Sequence, residues 1–103
     1  MGASTFINCV RKNEEIKTAA QAFIQEAQRS RHESGHSYSG EIGMKHDLLR
    51  ARHVPCATMK EGRDLACRLL EDSDEYGDKY GPAFYVEVIG EEVGWVFFGW
   101  APS

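Results

Sequence analysis

The residues His32-Glu33-Ser34-Gly35-His36 match the H-E-x-x-H pattern of zinc hydrolases. That chemistry needs both imidazoles on one helical face, a turn apart, with the glutamate turned toward a metal-bound water. The context works against it. Gly35 falls where the helix would have to continue, and glycine costs a helix interior roughly 1 kcal/mol against alanine. Arg29, Ser30, Arg31 and Ser37 flank the match, where a buried active-site helix would carry apolar residues. A third ligand is also needed, and His46, His53 and Glu41 sit at no recognised spacing. The plainer reading is a helix end whose histidines face the negative end of the helix dipole. A small metal-dependent hydrolase using His32 and His36 therefore stands as the alternative expectation.

The other chemistry-bearing groups are sparser. Cys9, Cys56 and Cys67 are odd in number and form no C-x-x-C pair, which reads as reduced thiols in a cytosol. Cys67 lies beside Ala66 in a helical stripe and reads as core. Cys56 follows Pro55 and reads as the one exposed thiol, with no base placed beside it. Asp72, Asp74, Glu75 and Asp78 lack the spacing of a calcium loop and read as a solvated acidic surface. The stretch His36 to Gly40 gathers more donors. His36, Tyr38 and Ser39 stand within four residues, Gly40 can turn the chain, and Lys45 follows. Such a corner can hold a phosphate or another polar group, so these five residues are the candidate ligand site. Its plain alternative is a turn that needs Gly40 for its backbone angle.

These groups must be positioned by the apolar elements, of which the C-terminal stretch is the largest. Ala83 to Ile89 and Val93 to Trp100 read as two strands joined near Gly90-Glu91-Glu92. In the second arm Trp95, Phe97 and Gly99 alternate with Val96, Phe98 and Trp100, so it is apolar on both faces. That predicts a central strand covered on both sides, or covered on one side by another chain. Ala3 to Val10 predicts the first strand, and Glu41 to Lys45 a short one. Thr18-x-x-Gln21 and Thr58-x-x-Glu61 are capping boxes. They predict helices over 19–31 and 59–72, the first with Ala20, Phe23, Ile24 and Ala27 as its apolar stripe. Pro55 stops any regular element between them, and whether 48–52 is a strand stays open. The expected fold is α+β: one largely antiparallel sheet of four to five strands, with two helices packed on one face. Val96, Phe98 and Trp100 would then need cover from loops or from a homodimer. Trp95, Phe98 and Trp100 are accordingly the candidate interface residues.

Length and charge bound the rest. One hundred and three residues make one domain, 1–103, with one core. Twelve basic against sixteen acidic residues give a net charge of −4, which argues against a binder of duplex nucleic acid. No signal-peptide pattern and no membrane-length apolar run is visible, so a cytoplasmic protein is expected.

Gly2-Ala3-Ser4-Thr5-Phe6, the helix containing Ala20-Gln21-Ala22-Phe23, and Gly35-His36 running through Tyr38-Ser39-Gly40-Glu41-Ile42 to Lys45 carry a likeness. The chain resembles a group of small uncharacterised proteins of phages and bacteria. These begin G-A-[ST]-x-F and continue through a helix into G-H-x-x-Y-[ST]-G-x-I-x-x-K. The likeness covers the stretch up to Lys45, with a weaker echo in the aromatic C-terminal strand. It names no reaction. It implies a phage-type accessory protein that binds a host protein, such as a defence factor, or a small nucleotide signal, by analogy alone. The expected function is stoichiometric inhibition without chemistry and without a cofactor, in the host cytosol.

Overall fold

The computed structural model describes residues 3–34, 42, 45, 47–51, 55–72 and 80–102. Along the chain they form β1 (Ala3–Arg11), α1 (Ala19–Ser34), β2 (Leu48–Arg50), α2 (Met59–Asp72), β3 (Ala83–Ile89) and β4 (Val93–Pro102). The strands make one sheet in the order β1-β4-β3-β2. β4 is antiparallel to both neighbours, and β2 runs parallel to β3. The fold is thus α+β on a single, mostly antiparallel sheet.

β4 takes an inner place because both of its faces are apolar. Trp95, Phe97 and Ala101 face α1 and pack with Phe6, Phe23 and Ala27. Val96 and Phe98 face α2 and pack with Val86, Val88, Met59 and Leu69. The two helices therefore cover opposite faces of the sheet, which corrects the expectation that both lie on one. The strand order supplies the reason. α1 carries the chain from one edge of the sheet to the other, and α2 brings it back inward to β3. Two crossovers of the same hand running in opposite directions must lie on opposite faces. Val96 and Phe98 are fully buried by this chain's own helix. No partner is needed to cover them.

Both capping boxes form. Thr18 Oγ1 accepts from the Gln21 amide at 3.2 Å, and Gln21 Oε1 accepts from the amides of Lys17 and Thr18. Thr58 Oγ1 accepts from the Glu61 amide at 3.2 Å, while Glu61 reaches back one residue further, to the Ala57 amide. The buried side of α1 is rotated from the expected stripe. Ala22, Phe23, Ala27 and Ser30 are buried, while Ala20 and Ile24 are exposed. Small residues at 22, 27 and 30 let the helix lie close over the wide rings of Trp95 and Phe97. On β1, the Phe6 ring crosses to its ladder partner Gly99, whose missing side chain leaves it room.

The stretch expected as a strand at 41–45 is described only at Ile42 and Lys45. The Lys45 amide donates to the Ile42 carbonyl at 3.0 Å, and the other residues of that expected strand lie outside the described ones. The next segment does pair. β2 is followed by Ala51 donating to Tyr85, and by Cys56 exchanging bonds of 2.8 Å with Glu87 and Ile89.

Candidate functional site

α2 docks toward the middle of the sheet because Gly62 lets it. A Cβ there would stand 2.7 Å from Val96 Cγ2 and 3.3 Å from Val88 Cγ2. With the helix drawn over β3 and β4, the α2 face of β1 is only partly covered. Thr5, Ile7, Cys9 and Arg11 share that face, since side chains alternate along a strand. Beside them runs the flank of α2 that carries Arg63, Cys67 and Leu70, at the spacing of successive helical turns.

Two open recesses lie between these surfaces, and Cys67 lines both. One, of about 490 Å³, sits at the carboxyl end of β1 among Cys9, Arg11, Met59, Lys60, Arg63, Asp64 and Glu92. The other, of about 440 Å³, is lined by Thr5, Ile7, Leu70, Glu71 and Trp100. The first is charged and the second largely apolar.

Glu92 organises the charged end. Its Oε1 accepts from the Met59 amide at 3.0 Å, and its Oε2 lies 2.7 Å from Arg11 Nη2. A carboxylate at that point meets the positive end of the α2 dipole. One side chain thus ties the hairpin turn to the start of α2 and the end of β1. Lys60 and Arg63 are exposed and form no ion pair with the described residues. Arg11 is engaged, so Lys60 and Arg63 are the cations left to meet something from outside.

Two of the described thiols, Cys9 and Cys56, are shifted toward their protonated form. Although Cys9 is exposed as a residue, partial burial of its thiol against the recess walls pushes it above its ordinary range, Arg63 pulls it back, and Glu92 adds to the rise. Cys56 is raised in the same way, by burial and then by Glu61, against Arg68. A raised thiol stays protonated at neutral pH, which removes the reactive thiolate. Arg63→Gln should raise Cys9 further and slow its alkylation at mildly alkaline pH by a few-fold. Mass spectrometry of the Cys9 peptide measures this; an unchanged or faster rate would place Arg63 away from the thiol.

The residues expected from the sequence fare unevenly. His36, Tyr38, Ser39 and Gly40 lie outside the described residues. Lys45 is buried, and its ammonium donates to the Gly81 carbonyl at 2.8 Å. It fastens this point of the chain to the approach of β3, with Arg31 donating to its carbonyl at 3.0 Å. Lys45 is therefore held in the interior. His32 is exposed in the last turn of α1, which is described only as far as Ser34. Among the described residues no group of three or more His, Cys, Asp or Glu side chains gathers to hold a metal ion. Trp95 and Phe98 belong to the chain's own core, so of the three expected interface residues only Trp100 borders a recess. Cys67 is exposed where core was expected, and Cys9 is exposed while Cys56 is half-buried.

The grouping of Cys9, Arg63 and Glu92 is not legible in the sequence, because they come from three distant segments and no local spacing joins them. The legible signals were two periodicities: Thr5, Ile7, Cys9 and Arg11 along one face of a strand, and Arg63, Cys67 and Leu70 along one flank of a helix. No protein-family model matches this chain, no curated protein matches it, and no solved structure does.

Proposed function

We propose that this chain is a non-catalytic accessory protein that works by stoichiometric binding, holding a segment of a host factor in the two recesses between β1 and α2. The observation that carries this reading is their arrangement end to end. Lys60 and Arg63, without ion-pair partners among the described residues, stand at one end, and Ile7, Leu70 and Trp100 at the other. A segment with carboxylates followed by apolar side chains satisfies both ends. Charges at the rim speed encounter and select the partner, and the half-buried aromatic supplies contact area. The likeness to phage proteins is what favours a host factor, such as a defence enzyme, as the target. No described helix is long and apolar enough to cross a membrane.

The test compares capture from bacterial lysate by the wild type and by the Lys60→Glu/Arg63→Glu pair. The expected result is one protein retained at equal stoichiometry by the wild type and weakened at least tenfold by the pair. Identical retention by both would defeat the reading.

A further inference from the structure

Beyond that reading, we infer that β1 is the docking edge for a second copy of this chain, with the two sheets joined antiparallel through β1. The register identifies which backbone groups are free. Lys12 donates to Val93, its direct ladder partner, so even-numbered residues of β1 form the hydrogen-bonded pairs with β4. The N–H and C=O groups of Ala3, Thr5, Ile7, Cys9 and Arg11 then point away from β4. They make no hydrogen bond to another described residue.

Among the described residues this edge carries none of the usual devices by which edge strands avoid pairing. β1 has nine residues, no proline, no glycine and one charge, Arg11, at its end. All nine pair with β4 in unbroken register, so no bulge twists the edge away. The opposite edge is guarded by contrast. β2 has three residues, with exposed Arg50 among them and Pro55 shortly after.

The occupant follows from symmetry and charge. An antiparallel pair centred on Ile7 sets Thr5 opposite Cys9 of the second copy, and Ala3 opposite Arg11 of the second copy. No like charges meet, and the five outward residues of each strand give about ten N–H···O bonds. The two-fold puts both α2 helices on one side of a continuous sheet. The recess carrying Lys60 and Arg63 then lies alongside the recess carrying Glu71 in the second copy. The edge is thus self-complementary in hydrogen bonding and in charge.

Sedimentation of the full chain at high micromolar concentration is expected to give twice the 11.6 kDa monomer mass. Thr5→Pro removes one outward amide and leaves the even-numbered bonds to β4 intact, and edge strands tolerate such a proline. It should shift the protein to monomer with an unchanged circular dichroism spectrum. Amide exchange on the wild type provides a second reading that needs no variant. Even-numbered β1 amides should be protected at every concentration. Those of Thr5, Ile7, Cys9 and Arg11 should lose protection at least tenfold on dilution to monomer. A wild-type monomer at all concentrations, or a dimer undiminished in Thr5→Pro, would overturn the inference. So would odd-numbered amides protected only when a captured foreign protein is present, an outcome that leaves the binding reading standing. Lys60→Gln/Arg63→Gln removes the cations that capture needs without setting like charges beside Glu71 of the second copy, so the β1 ladder should remain and the two proposals fail separately.

Discussion

Phe97→Ala and Phe98→Ala are each expected to lower the free energy of unfolding by about 3–5 kcal/mol, because each ring fills a separate core. Phe97 is fully buried on the α1 face, with its ring 6.1 Å from Phe23 and 6.1 Å from Tyr85. Phe98 is fully buried on the α2 face, 6.0 Å from Phe84. Tilted aromatic pairs at such distances add a further part of the stability beyond area burial. A domain of this size holds about 5–15 kcal/mol in total, so either change takes a large share of it. Their local effects should differ. Phe97→Ala should loosen the amides of α1 first, and Phe98→Ala those of α2. Urea unfolding gives the magnitude, and residue-resolved exchange gives the location. Had both helices covered one face, one ring would face solvent and its loss would fall within about 0.5 kcal/mol. A near-neutral result at either position therefore refutes the opposite-face arrangement.

That arrangement was half legible. The two apolar faces of Trp95 to Trp100 announced an inner strand with two covers. Local rules also gave the hairpin, both capping boxes and the bounds of α2, because those signals lie within a few residues of each other. The strand order is a long-range property. Nothing local says that Ala3–Arg11 pairs with β4 at the sheet edge, and so nothing local said which way the crossovers run. The stripe on α1 was ambiguous for a related reason. Alanines at 19, 20, 22 and 27 fit two adjacent faces, and only the sheet beneath decides between them. Lys45 ran against composition: a lysine normally reaches solvent, yet its ammonium is drawn inside by the Gly81 carbonyl. The candidate recesses were least legible, since they exist only where β1, α2 and the turn at Glu92 meet.

That meeting point predicts the severest single change. Gly94→Ala should cost more than the roughly 1–3 kcal/mol of ordinary overpacking, and Gly94→Val should leave the chain unfolded at physiological temperature. Gly94 is buried in β4, opposite Arg11 on one side and Val88 on the other. A Cβ at this position would lie 2.1 Å from the Val10 carbonyl oxygen, 2.9 Å from Arg11 Cα and 2.6 Å from Met59 Cε. The methionine tip can swing aside. The Val10 and Arg11 backbone cannot, because the ladder bonds on either side hold it. Gly62→Ala makes the informative comparison. There the nearest atom is a valine methyl, and a helical glycine replaced by alanine recovers roughly 1 kcal/mol of propensity, so strain and gain oppose. The expected order is a small change at Gly62 and a large one at Gly94, read from urea midpoints at equal slope. The loss at Gly94 should also reach the recess. Pushing β1 off β4 moves Arg11, which breaks its pair with Glu92, which in turn frees the Met59 amide at the start of α2. Gly94→Ala should therefore weaken partner capture even where the chain remains folded, whereas Gly62→Ala should not. Equal stability losses at the two glycines would mean that β1 and β4 do not approach as closely as the charged recess requires.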